Sequence, residues 1–237
     1  MIPKVIHYCW LSGDPVPAKL QEYMETWKEK LPDYQFVLWD LNRFDVHSSA
    51  WVQQAFNARK YAFAADYIRL YAVYHYGGIY MDMDVDVVRP FPDGLLAGNH
   101  MLGYESNDQA VGIEAGVFGG AKGAEWLREC LAHYDGRHFV AEDGRFDTQP
   151  LPRVMMKILG EKYIRTGIIR PLPPDFLTAK NYDNGKIIVT PNTCTIHHFE
   201  GSWFTPTQRM KRFIIRLLGN KSVSFIRAHL CSNNRHG

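Results

Sequence analysis

The chain has 237 residues, 46% of them hydrophobic and 22% charged, which suits one large packed domain and excludes a disordered chain. The net charge of +2 is unevenly spread: from Gly201 onward there are seven basic residues (Arg209, Lys211, Arg212, Arg216, Lys221, Arg227, Arg235) and no acidic ones, so the first 200 residues carry 20 basic and 25 acidic side chains. A mildly acidic body with a basic tail excludes a general nucleic-acid binder. The cysteines (Cys9, Cys130, Cys194, Cys231) are far apart without a CxxC pair and predict reduced thiols rather than a zinc set or disulfide framework. The first residues lack the apolar core of a signal peptide, and no run reaches the ~18 apolar residues of a membrane span. The expected location is cytoplasmic, peripheral on the inner face of the cell membrane.

In chain order, residues 4–10 read as a strand that ends at Ser12-Gly13-Asp14-Pro15. Pro17 suits the first turn of a helix running to about Leu31, with Leu20, Tyr23, Met24 and Trp27 on one face. Phe36–Trp39 is a second strand. Helices follow at about 49–58, capped by Ser48 or Ser49, and at about 62–76, stopped by Gly77-Gly78. Further on, strands are expected at 101–104, 116–119, 168–170, 187–189 and 195–198, and helices at about 124–134 and 151–160. The alternation of strand and helix predicts an α/β domain with one mostly parallel, Rossmann-like sheet flanked by helices. With no internal repeat and no linker, the chain divides into a domain over 1–205 and a helical tail over 206–237.

The segment Gly77-Gly-Ile-Tyr-Met-Asp-Met-Asp-Val-Asp-Val-Val-Arg-Pro90 carries the chemistry. An extended 79–88 places Ile79, Met81, Met83, Val85 and Val87 on one face and Tyr80, Asp82, Asp84 and Asp86 on the other. Adjacent carboxylates repel unless a cation or strong donors compensate. Such clusters select hard cations, Mg²⁺ or Mn²⁺, which in turn hold phosphate oxygens. The segment therefore predicts a metal–diphosphate site at a strand end, where open α/β sheets bind ligands. An EF-hand loop counted from Asp82 fails, because Val87 stands where glycine is required. Asp84-Val85-Asp86-Val87-Val88 also fits the start of a haloacid-dehalogenase-type phosphatase with Asp84 as nucleophile. A non-catalytic sugar-nucleotide or Ca²⁺-binding module is the remaining alternative.

The run Ala64-Ala65-Asp66-Tyr67-Ile68-Arg69-Leu70-Tyr71, with Tyr76-Gly77-Gly78-Ile79-Tyr80-Met81-Asp82-Met83-Asp84, resembles the DxD region of glycosyltransferase family 32. That family includes yeast-type mannosyltransferases and bacterial capsule and lipopolysaccharide sugar transferases. The opening Ile2–Trp10, Leu38-Trp39-Asp40 and Ile196–Trp203 are similar to it as well, so the likeness spans about residues 1–205. It implies a GT-A fold, a divalent cation (Mn²⁺, or Mg²⁺) and a nucleotide-sugar donor, UDP-sugar favoured and GDP-mannose second. It further implies hexosyl transfer with retention, to a glycan or lipid-linked oligosaccharide in surface polysaccharide synthesis.

By the same resemblance Asp82 and Asp84 are the DxD pair, Asp84 also counted with the catalytic residues. Asp66 and Arg69, i,i+3 neighbours on an apolar helix, match a donor-sugar clamp. Trp10 matches an aromatic that stacks on the nucleobase, with His7 and Tyr8 beside it, one of which alternation buries. His197 is the first and His198 the second candidate to complete the metal site, since consecutive strand residues face opposite ways. Ser202 and Trp203 are expected to close over the diphosphate. The role of Asp86 stays open, as do same-face attack and a covalent route for which Glu105, Glu114 and Asp147 are candidate nucleophiles. The glycines of Ala115–Gly120 are expected to admit the donor sugar against backbone, and Asp147-Thr148-Gln149-Pro150 to face the acceptor. In the tail, Met210, Phe213, Ile214, Leu217 and Leu218 share a helical face and basic residues cover the rest, which suits 207–230 either to an anionic membrane surface or to docking on the domain with its charges solvated.

Overall fold

A computed structural model of the chain describes residues 1–107 and 112–201. The elements are β1 (Val5–Cys9), α1 (Ala18–Lys30), β2 (Gln35–Trp39), α2 (Ala50–Asn57), α3 (Tyr61–Tyr76), β3 (Gly78–Met81), β4 (Val85–Val87), α4 (Asp93–Leu96), β5 (His100–Met101), β6 (Val117–Gly120), α5 (Glu125–Ala132), α6 (Leu151–Leu159), α7 (Pro174–Leu177) and β7 (Thr195–His197). The expected tail lies outside the described residues.

Five strands form one sheet in the order β2-β1-β3-β6-β5. β1 is parallel to β2 and β3, while β6 is antiparallel to both β3 and β5. Four strands thus run one way and only β6 is reversed. Alternation sorts the side chains onto two cores. Ile6, Ile79, Met81 and Val117 face α1, whose Trp27 is fully buried and donates its indole N–H to the Val85 carbonyl oxygen at 2.7 Å. Trp39, Tyr80 and Phe118 face the second core with Trp51 of α2, Ile68 and Val73 of α3 and Trp126 of α5. Of the His7–Tyr8 pair, His7 is the buried one. Trp39 donates to its Nδ1 at 3.1 Å, so the proton sits on Nε2 and is donated to the Gly77 carbonyl oxygen at 2.8 Å. Burial lowers its pKa, which keeps this bridge neutral.

The first half matches the sequence-based elements because its caps are local. Ser49 accepts from the Val52 N–H, and Gly77 closes α3 at φ +69. Two expectations fail. The stretches 168–170 and 187–189 form no strand: Ile168, Ile187, Ile188 and Val189 are exposed, and 187–189 contributes only a bridge from Ile187 to Lys180. The expected strand over 79–88 is two strands in two sheets. β3 ends at Met81, a turn closes from the Val85 N–H to the Asp82 carbonyl oxygen at 3.1 Å, and β4 then pairs with β7. Asp82 and Asp84 converge through this turn rather than along one strand face.

Gly78 enters β3 at φ +112, where an added Cβ would lie 2.6 Å from the Val5 carbonyl oxygen. Gly78→Ala is expected to cost about 1–3 kcal/mol from backbone strain alone, read as a lower Tm. A variant melting with the parent would show that β1 and β3 do not approach this closely.

Candidate active site

The β4–β7 pairing sets His197 opposite Val85, one residue past the aspartate turn. His197 Nε2 lies 3.4 Å from Asp84 Oδ1 and 3.9 Å from Asp82 Oδ2. One donor atom from each of the three residues falls within 4.8 Å of the others. His197 is 4% exposed and its Nε2 has no hydrogen-bond partner. A buried, unpartnered imidazole nitrogen aimed between two carboxylates is costly without a third party, and this O,O,N set suits a divalent cation such as Mn²⁺ or Mg²⁺.

The other imidazole nitrogen is anchored. His197 Nδ1 meets Glu114 Oε1 at 3.0 Å. The Gly116 N–H donates to the same oxygen at 2.5 Å, and the Thr178 hydroxyl donates to Oε2. Glu114 is 1% exposed and its oxygens are committed, so it orients His197 and is not a free nucleophile. A Cβ on Gly116 would fall 2.9 Å from Glu114 Oε1 and against the His197 ring. Gly119 and Gly120 pack within β6, where a Cβ on Gly120 would press on Leu127 at 2.7 Å. Gly119 faces Ile79 and Met101 within the sheet and Gly120 faces α3 and α5, so these two glycines serve packing rather than sugar access.

Arg69 binds the carboxylates from α3. It lies 3.3 Å from Asp66 Oδ1 and 3.4 Å from Asp82 Oδ2, donates to the Ala115 carbonyl oxygen at 2.8 Å, and stands 4.7 Å over the Tyr80 ring. Tyr80 donates its hydroxyl to Asp82 Oδ1 at 2.8 Å. Burial raises Asp82, and Arg69 and His197 only partly offset it. Burial would raise Asp84 too, but His197 and the Glu200 N–H, at 2.8 Å from Oδ2, hold it below the usual range. Burial pushes Asp66 up to about 7 despite Arg69. Burial would also depress His197, but Glu114 and Asp84 outweigh it and raise it well above the ordinary value.

Two clefts meet at this cluster, and Ala62, Arg69 and Asp82 line both. One, of about 440 Å³, contains Trp10, Asp84 and Arg59. Trp10 donates its indole N–H to the Asp14 carbonyl oxygen at 2.7 Å, which fixes its ring. The other, of about 290 Å³, contains Asp66, Glu105, Glu114 and Phe199. Burial pushes Glu105 up to about 8.

The structure thus brings together Asp66, Arg69, Asp82, Asp84, His197 and Trp10. It does not bring His198 there: that ring stacks on Tyr23 at 4.3 Å, with Nε2 3.9 Å from Asp86 Oδ2. Asp86 sits with His198, away from the turn. Asp147 pairs with Arg137 at 2.7 Å and lines neither cleft. Ser202 and Trp203 lie outside the described residues. The anchoring roles of Glu114 and Thr178 left no sequence signal, because 83 and 64 residues separate the partners. Tyr80 did leave one, since alternation sets it on the carboxylate side.

A family described as "Glycosyltransferase sugar-binding region containing DXD motif" matches residues 17–105, the span from α1 to just past β5. Inositol phosphoceramide mannosyltransferase 3 of Schizosaccharomyces pombe is 32% identical over 158 residues, covering 63% of this chain and 43% of that protein. Inositol phosphoceramide mannosyltransferase 1 of the same yeast is 31% identical over 235 residues, covering 94% and 68%. Among solved structures, the apo form of glycosyltransferase GlyE of Streptococcus pneumoniae aligns with a TM-score of 0.50 at 14% identity, over 98% of this chain and 64% of that one. The fold is the GT-A glycosyltransferase fold. The chain belongs to the DxD sugar-transferase family, glycosyltransferase family 32. It spans 43%, 68% and 49% of the length of the first three curated relatives it matches. This membership speaks against the phosphatase reading.

His197, with a folded pKa above its unfolded value near 6.5, contributes stability that is complete below that pH and lost as pH rises through the folded value. In the presence of EDTA the Tm should therefore fall as pH is raised from about 6.5 to 9, and His197→Ala should remove that slope. Equal slopes in parent and variant would place the alkaline transition elsewhere.

Proposed function

We propose that the protein is a divalent-metal-dependent hexosyltransferase that moves a sugar from a nucleoside diphosphate to a hydroxyl acceptor with retention of configuration. The observation that carries this is the Asp82–Asp84–His197 group with its buried, unpartnered Nε2, set between two clefts. Asp82, Asp84 and His197 would hold Mn²⁺ or Mg²⁺. When bound, the ion neutralises charge on the leaving diphosphate as a Lewis acid. Trp10 offers a flat face to the nucleobase, so the larger cleft takes the nucleoside diphosphate. Asp66 and Arg69 take the sugar hydroxyls in the smaller one.

Same-face attack is the route these residues favour. Glu114 has its oxygens committed. Burial pushes Glu105 up to about 8, which disfavours the carboxylate form that a nucleophile needs. The leaving phosphate oxygen then takes the acceptor proton. Two relatives are named inositol phosphoceramide mannosyltransferases, which favours mannose as the sugar and a lipid-borne acceptor over the UDP-sugar and surface polysaccharide expected from sequence. Among the described residues no helix is long and apolar enough to cross a membrane. The basic segment 207–230 is then the element that meets an anionic bilayer on its cytoplasmic face, and truncation after Trp203 should abolish sedimentation with anionic liposomes at low salt.

Incubation with GDP-mannose, UDP-glucose and UDP-galactose plus Mn²⁺ should raise the Tm and release free sugar slowly with at least one donor. No stabilisation by any donor with metal would sink the reading. Asp82→Asn and Asp84→Asn should each lower kcat/KM by at least about 100-fold. Glu114→Gln should weaken Mn²⁺ binding by about 10–100-fold through the lost orientation of His197, read by calorimetry or by the spin resonance of free Mn²⁺.

A further inference from the structure

α2 ends in a left-handed cap. The Arg59 N–H donates to the Phe56 carbonyl oxygen and the Lys60 N–H to that of Ala55, each at 2.8 Å. This pair of bonds requires the residue between to turn into the left-handed region, and Arg59 has φ +56. Glycine takes that position without steric penalty, whereas a residue with a Cβ is strained there. Retained strain of this kind points to a use for the side chain.

Arg59 is exposed and lines the 440 Å³ cleft together with Trp10, Asp82 and Asp84. Among the described residues no carboxylate pairs with its guanidinium. The cleft's other arginine, Arg69, is occupied by Asp66, Asp82 and the Ala115 carbonyl oxygen. Asp14, Asp82, Asp84 and Glu200 also line this cleft, so a bound diphosphate would meet a preponderance of negative charge. Among the described residues Arg59 is the uncommitted cation on its wall.

We propose that Arg59 grips the donor's diphosphate and stabilises it as it leaves, a role that rests on the donor reading of this cleft. A guanidinium matches phosphate oxygens with two parallel N–H donors. In the transfer, the bond from the anomeric carbon to the phosphate oxygen breaks with its electron pair kept on that oxygen. The acceptor oxygen bonds to the anomeric carbon, and the acceptor proton passes to the leaving phosphate. Negative charge grows on the diphosphate along this path, so the Arg59 contact strengthens toward the transition state and raises kcat.

The test uses the full chain with Mn²⁺ and titrates UDP, GDP, uridine and guanosine by calorimetry. Absence of binding by the parent to either diphosphate overturns the donor reading itself, before Arg59 is at issue. Where the parent binds, Arg59→Gly should weaken the diphosphate by about tenfold or more, the scale of a lost charge-assisted hydrogen bond. It should leave nucleoside binding unchanged and melt at or above the parent, because glycine relieves the left-handed cap. Arg59→Lys should restore part of the affinity. Diphosphate binding equal to the parent's, or an equal loss for diphosphate and nucleoside, overturns the assignment. So does a fall in Tm that accompanies the loss of binding.

Discussion

Two carboxylates held side by side out of water repel each other, and the centre of this protein is organised around that repulsion. Asp82 and Asp84 project from one tight turn, and burial alone would favour their neutral forms. Arg69 approaches from α3 and His197 from β7, so the helix that covers the sheet and the last described strand both bear on the turn. An uncompensated buried charge costs several kcal/mol, which links the packing of these elements to the electrostatics of the site.

The compensation extends outward from His197. Glu114 fixes one ring nitrogen, and Thr178 and the Gly116 N–H fix Glu114. The remaining nitrogen can therefore point only at the aspartates. A ligand whose partner defines its tautomer and direction is set before any ion arrives. Arg69 serves a second purpose, since it belongs to both clefts and joins them through one side chain.

Much of the first half was legible because its signals are short-range. Ser49, Gly77 and the alternation of Ile79, Tyr80 and Met81 act within a few residues. The second half was less legible because its strands depend on partners far along the chain. Ile187, Ile188 and Val189 have strong strand preference, but no neighbouring strand accepts them and they stay exposed. Conversely β7, only three residues long, exists because β4 pairs with it. Local preference proposes a strand, and pairing decides it.

The sequence by itself determined the family, the DxD pair and the Asp66–Arg69 couple. Residues at fixed short spacing on a helix or beside a turn carry their geometry with them. The sequence ranked His197 ahead of His198, but only the tertiary structure sets His197 beside the aspartates and His198 against Tyr23, because that depends on how β7 pairs with β4. It likewise turned Glu114 from a candidate nucleophile into the anchor of His197, a contact spanning 83 residues. The mildly acidic body thus resolves into particular carboxylates. At its centre two aspartates meet, and the residues that make their proximity tolerable were brought there by folding.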